Sequence, residues 1–193
     1  METMTSRERF SRMYAHKEAD RVPITDIPWQ GTISRWRREG MPAGADWREY
    51  FGVDKVEGIS VDISPQYPCT VVEDNARYQI VTSPWGVTMK QFKEEDSTPE
   101  FLDFKVCTPE AWEEAKARMA YSPDRIPWDY LQDAYPRWKA EGSWIQAGFW
   151  FGFDVTHSWM AGTETLLIAL LEEPEWVKDM FDTYLSRCIA CFD

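Results

Sequence analysis

Four polar side chains that follow apolar stretches of the sequence are the first candidates for chemistry. His157, one of only two histidines in the chain, lies three residues after Asp154, and a carboxylate can orient an imidazole as a general base. Asp26 and Asp62 end two other apolar segments, where a carboxylate can hold a ligand N–H group or cap a turn. The sequence therefore predicts a site that contains these four residues, and the alternative for each is a structural or solvent-exposed role.

Aromatic side chains close to these positions in the sequence are candidates for the lining of an apolar cavity that takes a flat ligand. They are Trp29, Tyr67, Trp150 and Phe153, and Gln30 follows the first of them. The alternative is that the aromatic rings belong to the hydrophobic core, where such residues are usually found.

Cys188 and Cys191 have the C-x-x-C spacing of redox and metal-binding pairs. On a continuous helix, however, Cys188 belongs to an apolar stripe, and no second pair of ligands lies nearby in the sequence. The favoured interpretation is a pair of packed thiols, so no metal or other cofactor is predicted to bind within this chain.

Composition excludes several classes of protein. The 193 residues are 44% hydrophobic and 15% aromatic, which is typical of a globular domain and not of a disordered chain. A formal net charge of -12 repels phosphate backbones, so nucleic acid is not an expected partner. The charged N-terminus does not resemble a signal peptide, and no apolar run approaches the ~20 residues of a membrane span. We therefore expect a cytoplasmic protein.

Apolar segments alternate with helical patterns in an order typical of a parallel α/β sheet. Strands are predicted at residues 21–27, 55–63 and 144–153. In such sheets ligands bind beyond the carboxyl ends of the strands, which is where the three aspartates occur. A polar loop is predicted at residues 154–158, after the third strand. No G-x-G-x-x-G or Walker-type loop is present in the sequence, so an unfinished barrel is favoured over a nucleotide-binding sheet.

Helix signals occur between the strands. Thr5 begins an S/T-x-x-E capping box, and Asp46 and Thr108 each precede a helical pattern as N-cap residues. Helices are predicted at residues 6–16, 31–39, 46–52, 108–121, 129–140 and 163–171. The second of these helices is expected to bury Ile33 and Trp36.

Residues 67–106 differ in character from the rest of the chain. Short alternating segments between residues 69 and 92, separated by tight polar connections, predict an antiparallel β-meander. Residues 101–106 are expected to add an edge strand, and a solvated loop is predicted at residues 93–99. We interpret the meander as an insertion into the main sheet.

The last segment of the sequence, residues 174–193, predicts an amphipathic helix. Its apolar stripe comprises Trp176, Val177, Met180, Phe181, Tyr184, Leu185, Cys188, Ile189 and Phe192. No glycine, proline or polar cap follows this stripe before Asp193. The expectation is therefore that the chain is a fragment, or that a second copy or a partner chain covers this helix face.

Several of these segments resemble the uroporphyrinogen decarboxylase superfamily. Residues 5–23, TSRERFSRMYAHKEADRVP, are similar to the opening of that superfamily, in which a first helix leads through a D-R-x-P turn into the first strand. Residues 85–87 and the block of residues 148–175 also resemble it. The resemblance implies a (β/α)8 TIM barrel of roughly twice this length. Residues 1–193 would then form a single incomplete barrel domain, the N-terminal part with about three strands and the inserted antiparallel meander.

The resemblance implies two activities, of which the first is decarboxylation in porphyrin biosynthesis. Uroporphyrinogen decarboxylases need no cofactor: arginines after the first strand bind the substrate carboxylates. An aspartate after the second strand, whose position Asp62 matches, holds the pyrrole NH groups. The arginines are absent from residues 24–31, and Arg35, Arg37 and Arg38 occur later in the sequence. Burial of a substrate with many carboxylates in a chain of net charge -12 would be costly.

The second implied activity is that of the corrinoid-linked methyltransferases, which also lack the arginine loop and which the chain resembles more closely. They bind zinc through a His-x-Cys pair and a later Cys, and the metal makes a thiol acceptor nucleophilic. The resemblance assigns those ligands to a second barrel half that this sequence does not contain, so the chain alone is expected to be inactive. The expected partners are a tetrapyrrole, corrinoid or other small-molecule substrate and a corrinoid protein. The remaining alternative is a non-catalytic half-barrel that binds a partner chain.

Overall fold

The computed structural model describes residues 3–93 and 97–193, which divide into two compact units. Unit 1 comprises Met1–Ser60 and Pro127–Gly148, and unit 2 comprises Val61–Ile126 and Phe149–Asp193. The strands are β1 Val56–Ile59, β2 Val71–Asp74, β3 Tyr78–Thr82, β4 Val87–Phe92, β5 Glu100–Phe104 and β6 Trp144–Ala147. The helices are α1 Ser6–Tyr14, α2 Gln30–Arg38, α3 Trp47–Phe51, α4 Pro109–Arg118, α5 Trp128–Ala140, α6 Phe153–Val155, α7 Thr163–Glu172 and α8 Pro174–Phe192, with a 3₁₀ turn at Pro123–Arg125 and a π turn at Thr156–Met160. None of the helices formed by the described residues has both the length and the apolar composition to cross a bilayer.

Unit 1 contains two parallel strands, as the sequence predicted. β1 and β6 pair in parallel along their whole length. Both are shorter than the strands predicted at residues 55–63 and 144–153. After β1, the Asp62 N–H donates to the Arg125 carbonyl at 2.9 Å and not to a neighbouring strand. Strand pairing therefore does not extend to Asp62. The described residues form no closed barrel, so a partial TIM barrel stays a prediction.

The strand predicted at residues 21–27 is wrong. The Ile24 N–H donates to the Asp54 carboxylate at 2.9 Å, and the Ile24 carbonyl accepts the Asp54 N–H at 2.9 Å. The Ile24 backbone groups, which would pair with another strand, are therefore bonded to a single aspartate. Val22 and Ile27 are 78% and 91% exposed, which is not the environment of a buried strand.

The same carboxylate is the centre of an ion-pair network that holds the D-R-x-P segment. Arg9, buried in α1, donates to Asp54 and, at 2.7 Å, to Asp20, while Arg21 Nη1 lies 2.6 Å from Asp54 Oδ2. Desolvation opposes ionisation of Asp54, but hydrogen bonds from Ile24 and Arg21 outweigh it and hold its pKa below the ordinary value. The hydrogen bond from Arg9 likewise lowers the pKa of Asp20. This sequence motif therefore fixes α1 against the segment that precedes α2.

The three predicted helix starts are confirmed. Thr5 Oγ1 accepts the Glu8 N–H at 3.2 Å, and the Glu8 carboxylate accepts the Thr5 N–H at 2.8 Å, which completes the capping box. Asp46 caps α3 and Thr108 caps α4 through their side-chain oxygens. These caps depend only on neighbouring residues, which is why the sequence reveals them.

α2 departs from its predicted details, and α5 contains a proline. α2 begins at Gln30 and has no buried residue, so the predicted burial of Ile33 and Trp36 is wrong. Both are half-buried, because Trp36 packs at the surface against the ring of Phe51, with the centroids 4.7 Å apart. α5 continues through Pro136, although a proline inside a helix removes one hydrogen bond.

The predicted meander is confirmed in unit 2, where β2, β3, β4 and β5 form an antiparallel sheet in that order. Gly86 precedes β4 with φ +88°, and a Cβ there would lie 2.9 Å from Tyr67 Cδ2, so the turn requires glycine. β2 is an exposed edge strand with an irregularity between Val71 and Glu73, a feature that limits further pairing. Of the loop predicted at residues 93–99, residues 94–96 lie outside the described residues.

The interior of unit 2 contains side chains from α4, α7, α8 and the π turn. Its fully buried residues include Trp112, Met119, Met160, Leu166, Met180, Tyr184 and Cys188. The predicted α8 stripe divides into two parts: Val177 and Met180 are buried, whereas Leu185, Ile189 and Phe192 are exposed. The helix is therefore apolar on a surface that unit 2 itself does not cover.

The polar loop predicted at residues 154–158 is wrong, because these residues belong to α6 and the π turn. Thr156 Oγ1 donates to the Gly152 carbonyl at 2.7 Å. The Ala161 N–H donates to the Thr156 carbonyl at 2.8 Å, which is the five-residue spacing of a π turn. Such turns are frequent at functional sites, and His157 lies in this one.

Candidate functional site

The candidate residues are divided between the two units. Unit 1 contains Asp26, Trp29 and Gln30, and unit 2 contains Asp62, Tyr67, Trp150, Phe153, Asp154 and His157.

Unit 1 contains a cavity of about 550 Å³, within the size range of small-molecule sites. Three of its lining residues lie on one face of α2, at the spacing i, i+3 and i+7. The lining includes Thr25, Asp26, Gln30, Ile33, Arg37 and Trp47. Trp29 is exposed and does not line the cavity. The structure therefore brings together two of the three candidates in this unit.

Arg37 is a cavity residue that the sequence reasoning did not select as a ligand contact. Arg48, the other arginine of the lining, is engaged by Asp46 at 3.0 Å and Glu57 at 2.9 Å. The Arg37 side chain makes no hydrogen bond or ion pair with residues 3–93 and 97–193, so its donors are available to an anionic group. Its position seven residues after Gln30, on the same helix face, was a signal for this role in the sequence.

In unit 2, the Asp62 carboxylate occupies a turn three residues after the end of β1. Its Oδ1 accepts the Ser64 N–H at 2.8 Å, and its Oδ2 accepts Gln66 Nε2–H at 2.8 Å. Desolvation opposes ionisation, but the hydrogen bonds from Ser64 and Gln66 and the charge of Arg125 outweigh it and hold the Asp62 pKa below its ordinary value. Asp62 is exposed, so this ionised carboxylate retains acceptor positions for a ligand N–H group.

His157 and Asp154 are also brought together, with His157 Nε2 3.5 Å from Asp154 Oδ1. Two hydroxyl groups contact the same imidazole: Ser158 Oγ lies 2.9 Å from Nε2 and Thr163 Oγ1 lies 3.2 Å from Nδ1. The ring of Phe153 lies 5.1 Å from that of His157. The half-buried imidazole therefore lies beside one carboxylate and two hydroxyls, and a histidine in such surroundings is a candidate general base.

The predicted aromatic residues of unit 2 occupy different environments. Trp150 is 59% exposed, and its ring lies 6.4 Å from that of Trp159. Tyr67 is buried, with Lys105 Nζ 4.5 Å and the Arg118 guanidinium 4.7 Å from its ring centroid. Cations and packed backbone surround the Tyr67 ring, which favours the core interpretation over a ligand contact for this residue.

The two cysteines of α8 are buried. Burial raises the pKa of Cys188 to about 11 and also raises the pKa of Cys191, so both thiols are protonated at neutral pH and weakly nucleophilic. Within residues 3–93 and 97–193, no group of three or more His, Cys, Asp or Glu side chains could hold a metal ion. The zinc site implied by the resemblance concerns residues outside this sequence and stays a prediction.

Comparison of the chain with protein-family models, with curated proteins and with solved structures finds no match in any of the three. The function proposed below therefore depends on the residues and contacts of this chain and on the resemblance of its motifs.

Proposed function

We propose that this chain is the N-terminal part of a (β/α)8-barrel enzyme of the uroporphyrinogen decarboxylase superfamily, closer to the corrinoid-linked methyltransferases than to the decarboxylases. One observation carries the proposal. β1 and β6 are parallel neighbours, and each is followed within a few residues by an exposed carboxylate, Asp62 after β1 and Asp154 after β6. In such folds, the residues that follow the parallel strands along the chain usually supply the ligand contacts.

Charge favours the corrinoid-linked branch. The candidate site residues include the acids Asp26, Asp62 and Asp154 in a chain of net charge -12, and Arg37 is the unpaired cation of the described cavity lining. A porphyrinogen fringed with carboxylates is repelled by such a set. A corrin ring carries amide side chains, whose N–H groups are donors for carboxylates.

The residues of the chain take complementary roles under this proposal. Asp62, whose lowered pKa keeps it ionised at neutral pH, accepts N–H groups of the ligand. Arg37 and Asp26 bind the anionic end and a donor group of a small substrate in the unit 1 cavity. Within unit 2, His157, which lies 3.5 Å from Asp154, accepts a proton from a ligand group bound to that unit.

Ligand binding tests the proposal. Hydroxocobalamin and uroporphyrinogen are titrated separately into the chain and followed by calorimetry. The corrinoid is expected to bind, and Asp62→Asn is expected to weaken it about 10-fold, because a hydrogen bond to a charged acceptor is lost. Asp103→Asn, an exposed carboxylate on β5 of the same unit, is the control and leaves binding unchanged. Tighter binding of uroporphyrinogen would support a true decarboxylase, and binding of neither ligand would remove the enzyme proposal.

A second candidate function, self-association without catalysis, is favoured by an apolar patch on unit 2. The patch consists of Phe149, Phe151, Leu185, Ile189 and Phe192, each between 37% and 50% exposed. Ring centroids of Phe149 lie 5.9 Å from Phe192 and 5.6 Å from Phe151, and the three α8 residues share one helix face at i, i+4 and i+7.

A second copy of this chain is the proposed occupant of the patch. The five side chains expose on the order of 500 Å², and two copies would bury about 1,000 Å², the lower limit for a specific interface. No ionisable side chain belongs to the patch, so the net charge of -12 does not place like charges in the contact.

Light scattering after size exclusion tests this candidate. We expect a dimer at about 100 µM, since weak interfaces of this size have micromolar affinity, and Ile189→Asp is expected to convert it to a monomer. The matched control is Leu171→Asp on α7, an exposed leucine outside the patch, which leaves the dimer intact. A monomeric unsubstituted chain at this concentration would refute self-association through the patch.

A further inference from the structure

Arg125, at the end of the 3₁₀ turn in unit 2, is a buried arginine bonded to main-chain carbonyls. Its side chain and backbone together are 4% exposed. Its guanidinium donates to four carbonyl oxygens at 2.6–2.9 Å, those of Asp62, Ser64, Ala120 and Arg118. Carbonyl dipoles satisfy its donors, so its full positive charge remains to act on nearby carboxylates.

Two of these contacts hold the turn that carries Asp62. Arg125 Nη1 lies 2.9 Å from the Asp62 carbonyl and 2.9 Å from the Ser64 carbonyl. In the opposite direction, the Asp62 N–H donates to the Arg125 carbonyl at 2.9 Å. The main chain is therefore fixed on both sides of the Asp62 side chain.

The carboxylate orientation follows from this fixed main chain. Asp62 Oδ1 accepts the N–H of Ser64, whose own carbonyl is bonded to Arg125, so a shift of the turn would break both bonds. The planar guanidinium has five donors in a rigid fork, whereas a lysine has three on a flexible chain. Lysine at this position cannot hold the same carbonyls together.

The geometry points to Arg125 as the positioning residue of the Asp62 carboxylate: it fixes the turn so that the carboxylate presents its free acceptor positions in one orientation. This inference rests on the proposed role of Asp62 as an N–H acceptor in ligand binding. Arg125 itself does not contact the ligand. Its contacts to Ala120 and Arg118 also stabilise the end of α4, so the test must separate positioning from stability.

Titration of the Asp62 carboxyl carbon by NMR in the full chain provides that separation. In Arg125→Met, Asp62 is expected to titrate at higher pH than in the unsubstituted chain, because a nearby positive charge is removed and the turn is released. Asp62→Asn assigns the signal. The matched control is Arg118→Met. Arg118 donates to the carbonyls of Pro65 and Gln66 in the same turn, and its loss is expected to leave the pH at which Asp62 titrates unchanged.

A second variant, Arg125→Lys, retains the positive charge and keeps the inference testable if the methionine variant does not fold. It is expected to bind hydroxocobalamin about 10-fold more weakly than the unsubstituted chain, since the carboxylate is no longer held in one orientation, while circular dichroism shows a folded protein. An unchanged Asp62 titration in Arg125→Met, or unchanged affinity in Arg125→Lys, would overturn the inference. If the unsubstituted chain does not bind the corrinoid, the proposed function fails. The Asp62 titration in Arg125→Lys, which retains the positive charge, then still decides whether Arg125 positions Asp62: a rise in its pKa would support the inference, and an unchanged titration would overturn it.

Discussion

In unit 1, a buried ion-pair network centred on Asp54 connects α1, the D-R-x-P segment and the segment that leads into β1. The interior of unit 2 instead consists of side chains such as Trp112, Met180 and Cys188. Charged groups bond in specific directions but lose solvation when they are buried, whereas apolar side chains gain stability in proportion to the area they bury. The ion pairs of unit 1 thus determine the path of the chain, whereas apolar packing stabilises unit 2.

The candidate residues of the two units are therefore held in place by different kinds of interaction. The segment next to the unit 1 cavity has few backbone partners of its own, and the Asp54 carboxylate holds it at Ile24. In unit 2 the π turn that carries His157 buries two of its own side chains, Thr156 and Met160. We expect unit 1 to respond to changes in charge and pH, and unit 2 to respond to changes in side-chain volume.

The largest effect is expected from Trp112→Ala in unit 2. The ring is almost fully buried, and its Nε1–H donates to Asp179 at 2.7 Å. The substitution therefore leaves a cavity and removes one hydrogen bond to Asp179, whose carboxylate keeps its contact with Lys116. We expect a loss of about 4 kcal/mol in the free energy of unfolding of this unit, measured by urea denaturation with circular dichroism. Trp150→Ala, an exposed tryptophan of the same unit, should cost less than about 1 kcal/mol. Equal losses for the two variants would contradict the packing described for unit 2.

A somewhat smaller effect is expected from Asp54→Asn in unit 1. The substitution leaves the buried Arg9 guanidinium without one carboxylate and weakens the bond to the Ile24 N–H. Removal of one partner of a buried pair costs about 3 kcal/mol, measured in the same denaturation experiment. Glu39→Gln breaks the exposed Arg35–Glu39 pair and should change stability by no more than about 0.5 kcal/mol. A neutral Asp54→Asn would show that the network does not stabilise unit 1.

The smallest effect on stability is expected when the pH is lowered. The pKa values of Asp20 and Asp54 are lowered in the folded chain from the ordinary 3.8, so their stabilisation is fully present well above 3.8 and is lost as the pH falls below it towards the folded values. Hydrogen-exchange protection factors of the Ile24 amide should fall on acidification before those of α8 amides around Met180. Loss of α8 protection first would reverse the comparison between the units.

Much of the secondary structure could be predicted because its signals are local. The capping box at Thr5, the N-caps Asp46 and Thr108, and the antiparallel meander all depend on residues a few positions apart. The parallel pairing of β1 and β6 followed from the alternation of strand and helix patterns. Local reasoning also placed Asp154 and His157 close together, because only three residues separate them, although it assigned them to a loop and the structure places them on helical turns.

The amino-acid sequence was sufficient for the caps, the periodicities and the acidic balance, since each is a property of neighbouring residues or of the whole composition. Contacts between distant residues settled the rest. Residues 21–27 are not a strand because Asp54, thirty positions beyond Ile24, takes the backbone bonds of that residue. Arg125 contacts Asp62, which lies sixty-three positions earlier in the sequence, and no sequence pattern near either residue predicts this contact. A buried hydrogen-bonding group needs a partner. Which residue becomes that partner depends on where distant segments of the chain lie in the folded protein.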